Sequence, residues 1–126
     1  MELIIVDGPP GIGCPLIATL SGANLAVVVT EPSLSGLHDL QRVIKVAQHF
    51  GVKTVVIINE YDINLENSSK IEDWCQKDNI PIIGKIHFDN IITEALVKGL
   101  PVVEYSDNTA AKEIKDIWQK IKTIVE

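Results

Sequence analysis

The chain has 126 residues, 46% of them hydrophobic, and a formal net charge of -6. This is the size of one domain with enough apolar material for a core, so residues 1–126 are expected to form a single domain. Lys and Arg are scattered among Asp and Glu, which excludes the basic stripe that a nucleic-acid backbone requires, and no apolar run reaches the roughly 18 to 20 residues of a membrane span.

Taken in order, short β-branched runs alternate with longer segments of helical period, the sequence form of repeated βαβ units. Leu3 to Val6 form the first run, ending in Asp7 and the loop GPPGIGCP. Leu25 to Thr30, Thr54 to Ile58 and Pro81 to Ile86 follow, with a short PVV at Pro101 to Val103. These runs are nearly all apolar rather than alternating, which predicts a mostly parallel sheet covered by helices on both faces, a three-layer α/β arrangement.

Between the runs, Leu37, Leu40, Val43, Ile44, Ala47 and Phe50 recur at helical spacing, and Gly51 suits the left-handed position that ends a helix. A second helix is expected after Ser68 or Ser69, whose hydroxyls suit an N-cap, with Ile71, Trp74 and Cys75 inward. A third runs from near Asp89 to Gly99, and the last covers about Thr109 to Val125 with Ile114, Ile117, Trp118, Ile121 and Val125 on one stripe. The polar face of that last helix mixes Lys112, Lys115, Lys120 and Lys122 with Glu113 and Asp116, so packing on the domain is favoured over a membrane surface. Cys14 and Cys75 belong to no CxxC or Cys/His cluster, so no iron-sulfur cluster is expected to be ligated by this chain. Two lone thiols, with no basic segment followed by an apolar leader, lead to the expectation of a cytoplasmic protein.

Asp7 places a carboxylate at the carboxyl end of an expected parallel strand, the edge where open α/β sheets bind ligands. There it could meet magnesium through water, since this hard cation keeps much of its hydration. Gly8 and Gly11 can offer backbone N–H groups to a phosphate with no intervening side chain, while Pro9 and Pro10 restrict the loop. The alternative is a strand that ends in Asp for turn reasons alone.

Four segments in order, DGPPGIGCP, VVVTEPSLSGLHDL, VVIINEYDIN and IPIIGKIHFDNIITEALVKGLPVVEY, resemble the carboxyl-terminal half of the MinD and Mrp group of deviant P-loop ATPases. The likeness is nearest to the MinD-like proteins that carry an inserted ferredoxin module, and it extends from Leu3 to about Tyr105. It implies a mostly parallel sheet flanked by helices, here a partial P-loop NTPase fold lacking the P-loop strand. It also implies ATP and magnesium as ligands, and relatives linked to iron-sulfur protein handling or spatial partitioning.

By that resemblance, Asp7 matches the magnesium-associated Asp, Gly11 falls in the switch loop that senses the γ-phosphate, and Asn59 matches the adenine-binding Asn. Thr30, Glu31 and Pro32 lie in a loop whose counterpart is near the site. Glu60 departs from the Lys found in many relatives, whose aliphatic stem could cover a base, while Asp62 keeps the last position of the Asn-Lys-x-Asp pattern. Read without the resemblance, Asn59 is equally a strand-end turn residue. His87 follows an expected strand and could line a base pocket. His38 is expected to be solvent-facing or capping, and His49 to answer the negative end of its helix.

No GxxxxGK[ST] loop or deviant form of it occurs in the sequence, so the phosphate-binding Lys and the magnesium-binding hydroxyl are not supplied by these residues. The expectation is a truncated frame, a fragment or one half of a split protein, with little or no ATPase activity alone and no catalytic residue of its own. A sheet edge left bare by a missing strand invites pairing, which predicts self-association or docking of a P-loop-containing partner half. An iron-sulfur protein is a further expected partner. The rival expectation, from another class, is a catalytically inactive α/β interaction domain that pairs through the exposed edge.

Overall fold

The computed structural model describes residues 2–8 and 13–126. A three-stranded parallel sheet in the order β1-β2-β3 is formed by β1 (Leu25–Thr30), β2 (Lys53–Ile58) and β3 (Ile82–Lys85). Parallel neighbours need crossover connections. These are α2 (Leu34–His49) between β1 and β2, and α3 (Leu65–Lys77) between β2 and β3. Helix α1 (Cys14–Leu20) precedes the sheet, while α4 (Asn90–Val97), the short α5 (Val102–Tyr105) and α6 (Thr109–Val125) follow it. No helix among the described residues is long and apolar enough to cross a membrane.

The apolar run Val55 to Ile58 of β2 has both faces covered, as its sequence implies. Val56 and Ile58 pack with Leu40 and Ile44 of α2 and Ile71 and Cys75 of α3. Val55 and Ile57 point the other way and pack with Ile83 and with Ile117 of α6. Alternation of side chains across the strand thus sets the three layers. A third cluster joins Leu16 and Leu20 of α1 to Ala26, Ala47 and Val52.

Helix α6 comes close to β3 because Gly84 has no side chain: a Cβ there would collide with Ile117. The Lys120 ammonium reaches past this contact and donates to the Ile83 carbonyl at 3.0 Å. Helix starts follow ordinary capping chemistry, with side chains accepting from the first turn: Ser33 from Gly36 N–H, Asn64 from Asn67 N–H, and Asn108 from Ala111 N–H.

Several expectations need correction. Leu3 to Val6 do not form a strand; the segment is irregular, with Ile4, Ile5 and Val6 exposed by 88%, 77% and 64%. An apolar run becomes a strand only where neighbours complete its hydrogen bonds and cover its faces, and among the described residues no strand pairs with it. Asp7 therefore does not stand at the end of a formed strand. The expected short strand at Pro101 to Val103 is instead the start of α5: Pro101, which has no N–H to give a sheet, accepts from Glu104 and Tyr105 N–H at 3.0 Å. The second helix begins at Leu65 rather than after Ser68, because Asn64 takes the cap and the buried Ser68 hydroxyl donates to the Tyr61 carbonyl at 2.6 Å. Helix α1, not anticipated from sequence, has Pro15 in its first turn and buries Leu16 and Leu20 four residues apart.

Candidate functional site: the loops at the carboxyl ends of the sheet

Each strand leads into a loop on the same edge of the sheet, and these loops are tied together. Beyond β1, the Thr30 carbonyl accepts from Asn59 N–H at 2.8 Å, and the Thr30 hydroxyl donates to the Gly36 carbonyl at 3.2 Å. Asn59, half-buried, is therefore held against the Thr30 loop. Pro32 is fixed from the other side by Asn67, whose amide donates to its carbonyl at 3.4 Å.

The chain then makes a tight reversal. Glu60 adopts φ 53° and ψ 38°, a left-handed conformation uncommon for a residue with a side chain, and leads into a 3-10 turn at Tyr61–Ile63. That conformation turns the loop toward the end of β3. Tyr61 N–H donates to the Ile86 carbonyl at 3.0 Å, and Ile86 N–H to the Ile58 carbonyl at 2.9 Å. The Asp62 carboxylate accepts from Phe88 N–H at 2.7 Å. Asp62 and His87 are thus brought into adjoining loops.

Two residues that sequence reasoning did not place here complete the cluster. The Tyr61 hydroxyl lies 2.7 Å from His87 Nε2, and the two rings meet edge-on with centroids 4.6 Å apart. Glu113 of α6 accepts from His87 N–H at 3.0 Å through one oxygen, and its other oxygen is 2.8 Å from His87 Nδ1. Lys85 pairs with Glu72 of α3, and its ammonium lies 5.6 Å from the Tyr61 ring centroid. Below this, Asp89 caps α4 through Ile91 N–H and also accepts from the Asn108 side chain, which joins the starts of α4 and α6. Tyr61 follows β2 as His87 follows β3, and adjacent parallel strands bring such loops together; that rule could have signalled Tyr61. Glu113 carries no local signal, because its role depends on where α6 packs.

Asp7 and Gly8 lie apart from this network. Both are exposed; Gly8 lies over α1, where a Cβ would stand 3.7 Å from Thr19 Cγ2. Among the described residues no hydrogen bond joins them to the loops after β2 and β3. Gly11 lies outside the described residues. His38 and His49 are exposed on α2, His49 in its last turn, as expected. A surface depression of about 510 Å³ is lined by Asn90, Thr93, Glu94, Val97, Lys98 and Tyr105, and includes none of Asn59, Asp62 or His87.

Comparison with known proteins gives the chain a family and the fold its neighbours. An uncharacterized protein of Methanocaldococcus jannaschii is 29% identical over 124 residues, covering 98% of this chain and 41% of the relative. An iron-sulfur cluster carrier protein of Pyrococcus horikoshii is 27% identical over 135 residues, covering 96% of this chain and 45% of the relative. Among solved structures, the septum site-determining protein MinD of Pyrococcus horikoshii, complexed with Mg-ADP, superposes with a TM-score of 0.78 at 22% identity, over 94% of this chain and 49% of that one. That likeness shows the fold. The chain spans a little under half the length of these proteins. Since the family model for the ParA-type NUBPL iron-transfer P-loop NTPases matches residues 1–122, the chain belongs to that family.

Proposed function

We propose that the chain supplies the base side, and the magnesium-associated Asp, of an ATP site in a MinD/Mrp-like ATPase, and that hydrolysis also needs a P-loop, which these residues do not contain. The observation that carries the reading is the junction of the loops after β2 and β3, where Asp62 accepts from Phe88 N–H and Asn59 is held to Thr30. It lies on the edge where open α/β sheets bind ligands. Asn59 has both an amide donor and a carbonyl acceptor for a base edge, and Asp62 and His87 lie in the loops after β2 and β3 on the same edge.

The residues present fit a magnesium ion held through water rather than in a protein cage. Among the described residues no group of three or more His, Cys, Asp or Glu side chains converges as a metal cage. Magnesium in nucleotide sites needs only one or two carboxylates, with water and phosphate oxygens filling the remaining positions. The exposed Asp7 carboxylate suits a water-mediated contact of that kind, with Gly8 and Gly11 offering N–H groups to phosphate. When bound, the metal neutralises phosphate charge; this chain's own part is to orient the base and hold the coordinated water.

Titration with magnesium and ATP, followed by amide shifts, tests the reading. Saturable shifts at Asp7, Gly11 and Asn59 are expected, and no shift at millimolar ATP would exclude it. A second reading, an inactive interaction domain, is favoured by the outer side of β1: among the described residues this edge pairs with no strand, and Val27 and Val29 are exposed. In either reading the partner is a second copy, a P-loop-containing half or an iron-sulfur protein, the last from the name of the Pyrococcus relative.

A further inference from the structure

We propose that Tyr61, His87 and Glu113 form a positioning relay, in which helix α6 sets the conformation of the Asn59–Asp62 loop through a single tautomer of His87. The proposal rests on the nucleotide reading only for its consequence; the relay itself is a property of the ligand-free chain. A carboxylate has acceptors only, so the 2.8 Å contact of Glu113 with Nδ1 requires the proton of a neutral imidazole to be on Nδ1. Nε2 is then a bare acceptor, and the Tyr61 hydroxyl at 2.7 Å must donate to it. The second Glu113 oxygen accepts from His87 N–H at 3.0 Å, so one carboxylate fixes both the ring and its backbone.

Three elements distant in sequence meet in this relay: the turn after β2, the loop after β3 and the first half of α6. His87 and Glu113 side chains remain 39% and 22% exposed, so the relay lies at the surface of the junction rather than in the core. The core clusters contain none of the three as a buried member. Breaking the relay therefore leaves the fold in place while freeing the loop that carries Asn59 and Asp62. The left-handed Glu60 makes the loop dependent on outside support, since a side-chain-bearing residue does not favour that conformation. Neither Glu113 nor Tyr61 touches the nucleotide in this scheme; both act through His87.

The test compares the wild-type chain with Tyr61→Phe, Glu113→Ala and Glu113→Gln, using imidazole nitrogen NMR and amide hydrogen exchange, first without ligand and then with ATP. In the wild type, His87 is expected as one tautomer with hydrogen on Nδ1. Glu113→Ala should abolish that preference and speed exchange at Tyr61 and Phe88 about tenfold, the effect of losing a supporting hydrogen bond, with Val56 in the core unchanged. Glu113→Gln, which keeps one acceptor and puts an amide donor in place of the other, can hold His87 N–H or Nδ1–H but not both, and should restore only part of the protection. Tyr61→Phe keeps the ring and should shift the Nε2 resonance alone, with a smaller rise in exchange. With ATP, the variants should weaken the Asn59 shift in the order of their exchange rates. Unchanged tautomer and exchange in both Glu113→Ala and Tyr61→Phe would overturn the relay whatever ATP does. A wild type with the expected tautomer and exchange but no response to ATP would remove the nucleotide reading and leave the relay standing.

Discussion

The two edges of the sheet are built differently. On the β3 side, α6 crosses over the strand with Ile117 against Gly84, and Lys120 donates to the edge carbonyl of Ile83. The pairing of β3 with β2 is also interrupted by an irregularity between Val56 and Ile57. On the β1 side, all six residues pair in uninterrupted register with β2, yet the opposite side of the strand has no partner among the described residues. Val27 and Val29 are 36% and 59% exposed on the face that α6 leaves uncovered. Helices, Lys side chains and irregular pairing are the usual devices that keep an edge from adding strands. The β3 edge, the closed side, uses all three, whereas β1, the open side, has α1 and α2 packed on one face but, among the described residues, neither a lysine on the strand nor an interrupted register.

The largest expected effect comes from breaking the closed side. Ile117→Ala removes the side chain that fills the space above Gly84 and joins α6 to Val55, Ile57 and Ile83. Loss of a buried Ile typically costs about 2 to 5 kcal/mol, so urea unfolding should show a loss of about 3 kcal/mol. Gly84→Ala should also destabilise, because its new methyl collides with Ile117. The double variant should lose less than the sum, since the Ala methyl enters space that Ile117 vacated. Strict additivity would mean that the two residues do not share the seal.

A second effect separates the halves through their thiols. Cys14, exposed at the start of α1, belongs to the helix that packs with Ala26 of the open strand. Cys75 is 1% exposed beneath β2, and burial, followed by the nearby Asp78 charge, pushes its thiol up to about 11. Cys14 should therefore react with a thiol reagent in the folded protein, and Cys75 only on unfolding. Because the folded state holds the Cys75 proton more tightly than the unfolded chain, its contribution is present below about pH 9 and lost as pH rises toward 11. On the order of 2 kcal/mol should disappear over that window, and Cys75→Ala should flatten the decline. An unchanged slope in Cys75→Ala would assign the alkaline loss to other groups.

The open side is tested by Val29→Lys. A charge on an edge strand opposes strand addition, so association measured by light scattering should weaken at least about tenfold, roughly 1.4 kcal/mol, while stability of the isolated chain changes by less than about 0.5 kcal/mol. A wild-type chain that stays monomeric at high concentration would remove self-association and leave the edge to a different partner.

Much of this contrast was legible in sequence. The apolar runs of β1 and β2 announce a buried parallel sheet, and the stripe of α6 marks it as a packed helix; both follow from local periodicity. What escaped depends on long-range placement. Leu3 to Val6 read as a strand because their composition encodes burial, but composition does not provide the neighbour that burial requires. Pro101 to Val103 read as a short strand because PVV is β-rich, whereas the missing Pro101 N–H and the left-handed Gly99 before it favour a helical start. His87 was singled out from its place after a strand, whereas Asn59 and Asp62 rested on the family resemblance; Tyr61 and Glu113 needed the docking of β3 and α6.

The smallest effect is the most direct test of how the closed edge is kept closed. Lys120→Met keeps an aliphatic stem of similar length, so packing along α6 is retained, but it removes the ammonium that donates to Ile83. The carbonyl lies at the sheet edge and can take up water, so the stability loss should be about 1 kcal/mol or less. The consequence for association is opposite in sign to that of Val29→Lys: an edge carbonyl is freed and a positive charge that repels a second strand is gone. Light scattering should then show more association than in the wild type, and combining Lys120→Met with Val29→Lys should leave only the part that passes through β3. If Lys120→Met associates no more than the wild type, α6 and the interrupted β3 pairing close that edge by shape alone, and the lysine contributes only its hydrogen bond.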